Sequence, residues 1–306
     1  MDTRPLGNSD IRITPILMGT WQAGKRGWTD IEDAQTIEAL RAGVAAGITT
    51  VDTAEVYGDG YSESIVAQAL SDIRDQVVYA TKVFANHLAY DQVIAACEGS
   101  LKNLNTDRID LYQIHWPSGT WNSDVVPIAE TMQALNDLKQ QGKIRSIGVS
   151  NFSLAQLQEA AQYGRIDSLQ PPYSLFWRWV EQDLMPYCVE QNITILAYSP
   201  LAQGLLTGKF GPDHHFAEGD HRVKNRLFEG ETFAKALDAL EQLKPIAERY
   251  QITLANLALA WLVAQPQTCA IAGMRNAAQA VQNAQAGSLT LSPEDIQLMD
   301  QISRTV

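Results

Sequence analysis

From residue 16 almost to the end of the chain, short apolar runs suited to strands alternate with stretches patterned as helices, and this alternation limits the fold more than any other feature. The strand-like runs are 16–19, 48–52, 77–82, 109–114, 143–149, 168–170, 193–198 and 268–272. Between them, helix patterns run from Asp30 or Asp33 as cap through Ala46, then over 62–70, 91–104, 125–141, from a Ser153 cap toward Ala161, 182–191, 233–250, 254–265 and 277–284. Unbroken strand–helix alternation predicts a parallel sheet. Eight such units in 306 residues predict an α/β fold of the closed (β/α)8 TIM-barrel kind rather than an open sheet. An N-terminal segment is expected as a hairpin across the barrel floor, and an extra C-terminal helix is expected from its cap at Ser292-Pro293-Glu294. No Pro/Gly/Ser-rich linker divides the chain, so one domain over 1–306 is expected; its one long irregular region is roughly 200–231.

A net charge of −12 opposes binding to nucleic-acid backbones or anionic membrane surfaces. No apolar run reaches the ~18 residues of a spanning helix, and the first residues show no apolar signal region. Cys97, Cys188 and Cys269 are scattered without paired spacing and read as small buried thiols in a reducing compartment. A cytoplasmic protein is expected, with a monomer as the default. His214, His215 and His221 crowd the long loop, but no metal-binding spacing occurs and no metal is expected.

Special residues gather where the runs end: Gly19-Thr20-Trp21, Asp52 with Tyr57, Lys82, His115-Trp116, Ser150-Asn151, Gln170, Tyr198-Ser199 and Gly273-Met274-Arg275. A barrel brings all these ends to one face. There a carboxylate, a phenol, an ammonium and an imidazole form a proton-transfer set. A phenol titrates near ~10, and a neighbouring ammonium favours its ionised form. The expectation is that Asp52 pairs with Lys82, that Lys82 lowers the Tyr57 value, and that His115 bonds the same substrate oxygen or helps pass the proton. Tyr57 then serves as general acid toward a carbonyl or base toward an alcohol.

Five strings stand in order at these ends: 51–58 (VDTAEVYG), 80–82 (ATK), 109–115 (IDLYQIH), 148–152 (GVSNF) and 198–201 (YSPL). Together they resemble the aldo-keto reductase superfamily, from Gly19 to Asn283. The likeness is to bacterial NADPH-dependent members related to inositol-operon and general-stress reductases, a branch shared with potassium-channel β subunits. The resemblance implies hydride transfer between NADP(H) and a small-molecule carbonyl compound, with Asp52, Tyr57, Lys82 and His115 as the catalytic set and Tyr57 as proton donor. A nucleotide-binding regulatory subunit with slow turnover is the rival it also implies; a metal-dependent barrel hydrolase is a third reading, opposed by the missing ligand spacing.

The same resemblance assigns cofactor contacts. Ser150, Asn151 and Gln170 would bond the nicotinamide carboxamide, and Tyr198 would stack on its ring. Ser199, Leu201, Gln203, Gly204 and Lys209 would follow the pyrophosphate. Gly19, Thr20 and Trp21 belong to the same set, as does Gly273. Arg275 at a helix start suits a 2′-phosphate, and Gln279 and Asn283, four apart on that helix, suit an adenine edge. Animal family members carry Lys-Ser where this chain has Gly273-Met274, which leaves phosphate selectivity to Arg275. Of seven tryptophans, Trp261 reads as core, while Trp21, Trp28, Trp116, Trp121, Trp177 and Trp179 sit in loops after strands and suggest an apolar or aromatic pocket.

Overall fold

The computed structural model describes residues 1–28, 30–216 and 220–306; it opens on two antiparallel strands, β1 (Arg4–Pro5) and β2 (Arg12–Ile13). Eight strands follow among the described residues: β3 (Ile16–Gly19), β4 (Thr50–Asp52), β5 (Val78–Val83), β6 (Ile109–Ile114), β7 (Ile144–Ser150), β8 (Ser168–Gln170), β9 (Thr194–Ala197) and β10 (Thr268–Gly273). They pair in parallel in chain order, and β10 closes onto β3. Closure removes both sheet edges and brings every carboxyl end to one rim.

Helices return the chain between strands: α1 (Asp33–Ala45), α2 (Tyr61–Leu70), α3 (Tyr90–Asn103), α4 (Ile128–Gln140), α5 (Leu154–Ala161) and α6 (Leu184–Glu190). Two helices, α7 (Gly230–Arg249) and α8 (Leu254–Val263), lie between β9 and β10, and α9 (Ala277–Ala286) and α10 (Pro293–Ser303) end the chain. Ser153 and Ser292 cap their helices as expected, each accepting from a backbone N–H three residues on. The first cap is a correction. Glu32, not Asp30 or Asp33, precedes α1, because Asp33 is taken by tertiary partners, the Tyr61 hydroxyl at 2.6 Å and Lys25 at 2.9 Å. The fourth helix starts at Ile128 rather than 125, since Pro127 holds the residue before it out of helical geometry.

Apolar side chains sort into two bodies. The larger lies between strands and helices and includes Trp261, Tyr79 and Leu135. The smaller joins Leu17, Ala80, Leu111, Leu196 and Cys269 of the strands to Leu6, Ile11 and Ile13 of the hairpin segment. Arg4 donates to the Thr268 carbonyl at the start of β10 at 2.8 Å, and Gly7 presses on Asp167 just ahead of β8. Gly7 has φ +53°, and a Cβ there would stand 2.4 Å from the Asp167 carbonyl oxygen. The hairpin therefore covers the floor, as expected, and leaves the polar rim at the other end. All three cysteines are free and buried.

Candidate active site

The strand registers decide which polar groups meet. Gly19 is level with Asp52, Lys82 with Gln113, and Ser150 with Gln170. Lys82 is fully buried; its Nζ donates to Asp52 Oδ1 at 2.6 Å and to the Thr53 carbonyl at 2.8 Å. Burial pulls the Lys82 ammonium below its usual value, and the Asp52 carboxylate pulls it back. The second carboxylate oxygen, Oδ2, accepts from Gln170 Nε2 at 2.9 Å and from Gln113 Nε2 at 3.4 Å.

Tyr57 comes from the loop after β4, with Lys82 Nζ 5.1 Å from the centre of its ring. The His115 ring stands 5.6 Å from it and nearly perpendicular. Loop geometry sets this position: Glu55 accepts from the Phe84 N–H at 2.6 Å and meets His87 Nδ1 at 3.0 Å. Gly24 backs the loop so closely that a Cβ on it would lie 2.5 Å from the Tyr57 carbonyl carbon.

The expected acidification of Tyr57 is overturned. Burial holds its hydroxyl well above the ordinary value, and the Asp52 charge adds to this. The physical reason is desolvation: the buried phenol has no water to carry the charge of its ionised form, and the nearby Asp52 carboxylate opposes that charge further. His115 is buried and held well below its ordinary value by burial and the Lys82 charge; its Nδ1 has no hydrogen-bond partner within the protein. The resting site thus presents a protonated phenol and a neutral imidazole beside a buried ion pair.

The aldo/keto reductase family model matches residues 15–304. The chain belongs to that family. It is 37% identical to aldo-keto reductase YhdN of Bacillus subtilis over 96% of this chain and 91% of that protein. It is 35% identical to the NADH-specific methylglyoxal reductase of Escherichia coli over 99% and 98%. The structure of the glycerol dehydrogenase AKR11B4 from Gluconobacter oxydans superposes with a TM-score of 0.91 at 32% identity, covering 98% of this chain and 94% of that one.

Within this family member, several residues expected at the cofactor engage one another. The Ser150 hydroxyl donates to the Gln170 carbonyl at 2.7 Å, and Asn151 Nδ2 to the His115 carbonyl at 3.0 Å. The Tyr198 hydroxyl donates to Asn151 Oδ1 at 2.9 Å. Thr20 bonds the Asp52 carbonyl at 3.0 Å, which locks the first loop to β4; Trp21 stays at the surface, edge-on to Trp28 at 5.2 Å. Ser199, Ala202, Gln203 and Gly204 all have positive φ, the kind of backbone cost that persists at functional sites. Leu201 stands between them, half-buried. Lys209 is depressed by burial and by the charges of Arg222 and Arg275, so three cations share one neighbourhood. Arg275 lies 5.2 Å over the Trp28 ring. Gln279 Oε1 accepts from the Arg275 backbone N–H at 2.8 Å, and Asn283 Nδ2 donates to the Gly273 carbonyl at 3.2 Å.

The tryptophans divide. Trp261 is buried, as expected. Trp116 and Trp121 meet at 5.6 Å, and Phe84 links Trp121, at 6.1 Å, to His115, at 5.6 Å. The 200–231 loop, of which 217–219 lie outside the described residues, is anchored by Phe210 against Phe216 and Phe228, both at 5.4 Å, with His214 4.5 Å from Phe210. Among the described residues, no cluster of His, Cys, Asp or Glu could hold a metal, and no helix is long and apolar enough to cross a membrane. Sequence reasoning missed Gln113 and Arg222. It also missed Gln22, whose Nε2 ties the Gly19 and Met274 carbonyls at 3.1 and 2.8 Å.

Proposed function

We propose that this family member is an NADP(H)-dependent carbonyl reductase in which Tyr57 gives its proton to the carbonyl oxygen. The observation that carries the reading is Tyr57 and His115 packed beside a buried Lys82–Asp52 pair at the barrel rim. The bound nicotinamide supplies the hydride to the carbonyl carbon. The chain supplies the rest. Burial keeps the Tyr57 hydroxyl protonated until a substrate oxygen gains charge. Neutral His115 offers a second hydrogen bond to that oxygen. The Lys82 ammonium, 5.1 Å from the ring, favours the phenolate left behind.

The residues fit a dinucleotide. Ser150, Asn151 and Gln170 offer the donors and acceptors an amide requires, and Tyr198 would cover the nicotinamide face. The left-handed residues Ser199, Gln203 and Gly204, with Leu201 between them and Lys209 beyond, would receive the pyrophosphate. Gly19, Thr20, Trp21 and Gly273 would line the near wall, and Gln279 and Asn283 would take the adenine. Arg275, sharing its neighbourhood with Lys209 and Arg222, favours a 2′-phosphate and hence NADP(H) over NAD(H). One relative is named NADH-specific, so the preference turns on these side chains rather than on the family. The aromatic wall of Phe84, Trp116 and Trp121 suits a small carbonyl compound with an apolar or flat body. We read residues 1–306 as one domain, acting as a cytoplasmic monomer without metal, nucleic-acid or membrane partners.

NADPH oxidation with 4-nitrobenzaldehyde tests the reading. Tyr57→Phe should lower turnover on the order of 10²–10⁴-fold while NADPH still binds. A variant that keeps wild-type turnover would overturn the acid assignment. Tight NADPH binding by the wild type with negligible turnover on a broad carbonyl panel would favour the regulatory subunit instead.

A further inference from the structure

Just below the rim lies a side chain that this chemistry does not yet use. Gln113, on β6 two residues before His115, is fully buried. Its Oε1 accepts from Gln170 Nε2 at 3.2 Å, and its Nε2 points at Asp52 Oδ2 at 3.4 Å. Gln170 reaches the same Asp52 oxygen at 2.9 Å, while Lys82 covers the other. Space for the amide is kept by Gly148 on β7, where a Cβ would stand 3.0 Å from Gln113 Cγ and 2.2 Å from Ser168 Oγ. Burying an amide in a barrel interior is costly unless its bonds are made.

We propose that Gln113 is a positioning residue that keeps Asp52 oriented toward Lys82 when Gln170 turns its amide to the nicotinamide carboxamide. The inference rests on the reading of Gln170 and Tyr57 given above. The geometry supplies the reason. Both N–H groups of Gln170 are spent inside the protein, one on Asp52 and one on Gln113. Turning that amide outward removes the shorter donor from Asp52 Oδ2 and frees Gln113 together. Gln113 then has no competing partner and closes its longer bond to the carboxylate. Without it, one oxygen of a buried carboxylate would go unserved as the cofactor binds.

A double-mutant cycle separates this role from packing. Gln113→Met, of similar volume, should lower kcat about tenfold, the loss expected for one hydrogen bond to a charged group. The NADPH Kd, read by fluorescence quenching, should rise severalfold as well, because the unserved oxygen arises only when Gln170 turns to the cofactor. In an Asp52→Asn background the same change should cost under about twofold. Urea unfolding of the free protein should show the same coupling, with Gln113→Met costing less stability once Asp52 is Asn. Equal losses with and without Asp52, in either measurement, would overturn the proposal. Gln113→Glu adds a pH readout. Its carboxyl, raised by burial and by Asp52, donates when protonated and repels when ionised. Its kcat should therefore approach wild type at acid pH and fall as pH rises; a profile parallel to wild type would count against us. Turnover independent of Tyr57 would remove the reading and the inference together. Tyr57-dependent turnover with Gln113→Met at the wild-type rate removes the inference alone.

Discussion

Lys82 Nζ and Asp52 Oδ1 stand 2.6 Å apart inside the barrel, the lysine side chain wholly out of solvent and the aspartate nearly so. Neither charge is tolerable there alone. Lys82→Met should therefore destabilise the fold by about 3–5 kcal/mol, the cost of orphaning a buried partner. Adding Asp52→Leu should recover most of that loss while leaving turnover abolished. Urea midpoints of the two variants check it.

The buried imidazole sets the acid side of stability. His115 is held well below 6.5 in the folded protein. As pH falls below 6.5 the unfolded chain takes up a proton that the native state refuses, so stability declines on acidification. Tyr57 acts at the other end. Held well above 10.0, it leaves stability unaffected until the unfolded phenol ionises first, after which stability falls as pH climbs. Urea midpoints from pH 5 to 8 should drop toward acid in the wild type and less steeply in His115→Asn.

Gly24 touches the backbone of Tyr57, the proposed acid. Gly24→Ala would place a Cβ 2.5 Å from the Tyr57 carbonyl carbon, so the loop must shift. Since misplacement by about 1 Å can cost 10²-fold in rate, kcat should fall by at least about tenfold with NADPH affinity little changed. Steady-state kinetics beside a binding titration would reveal it; unchanged kcat would mean the loop yields elsewhere.

Arg275 should read the cofactor's phosphate. In Arg275→Ala the KM for NADPH should rise about tenfold, one charge-assisted contact, with NADH little affected. An unchanged preference between the two cofactors would end the assignment. The same change removes the guanidinium lying 5.2 Å over Trp28, so tryptophan emission should report it independently.

Much of this architecture was legible in the chain. Runs such as 109–114 and 143–149 differ in period from the helices around them, and the barrel follows from their number and order. Asp52, Tyr57, Lys82 and His115 could be found because each ends or follows such a run. What escaped depends on contacts distant in sequence. Asp33 reads as a cap until Tyr61, 28 residues on, captures its carboxylate. Gln113 is hidden in an apolar strand, and nothing local tells that it faces Asp52. The shift of Tyr57 was read with the wrong sign because the Lys82 ammonium was weighed while the burial of the phenol, a property of the assembled fold, was not. The 200–231 loop reads as irregular because its phenylalanines show no period, although they pack together.

The hairpin's Leu6, Ile11 and Ile13, wedged among the inner strand residues, turn the cylinder into a vessel with one door. A ligand held at the rim comes and goes on that side alone, above a floor it never meets.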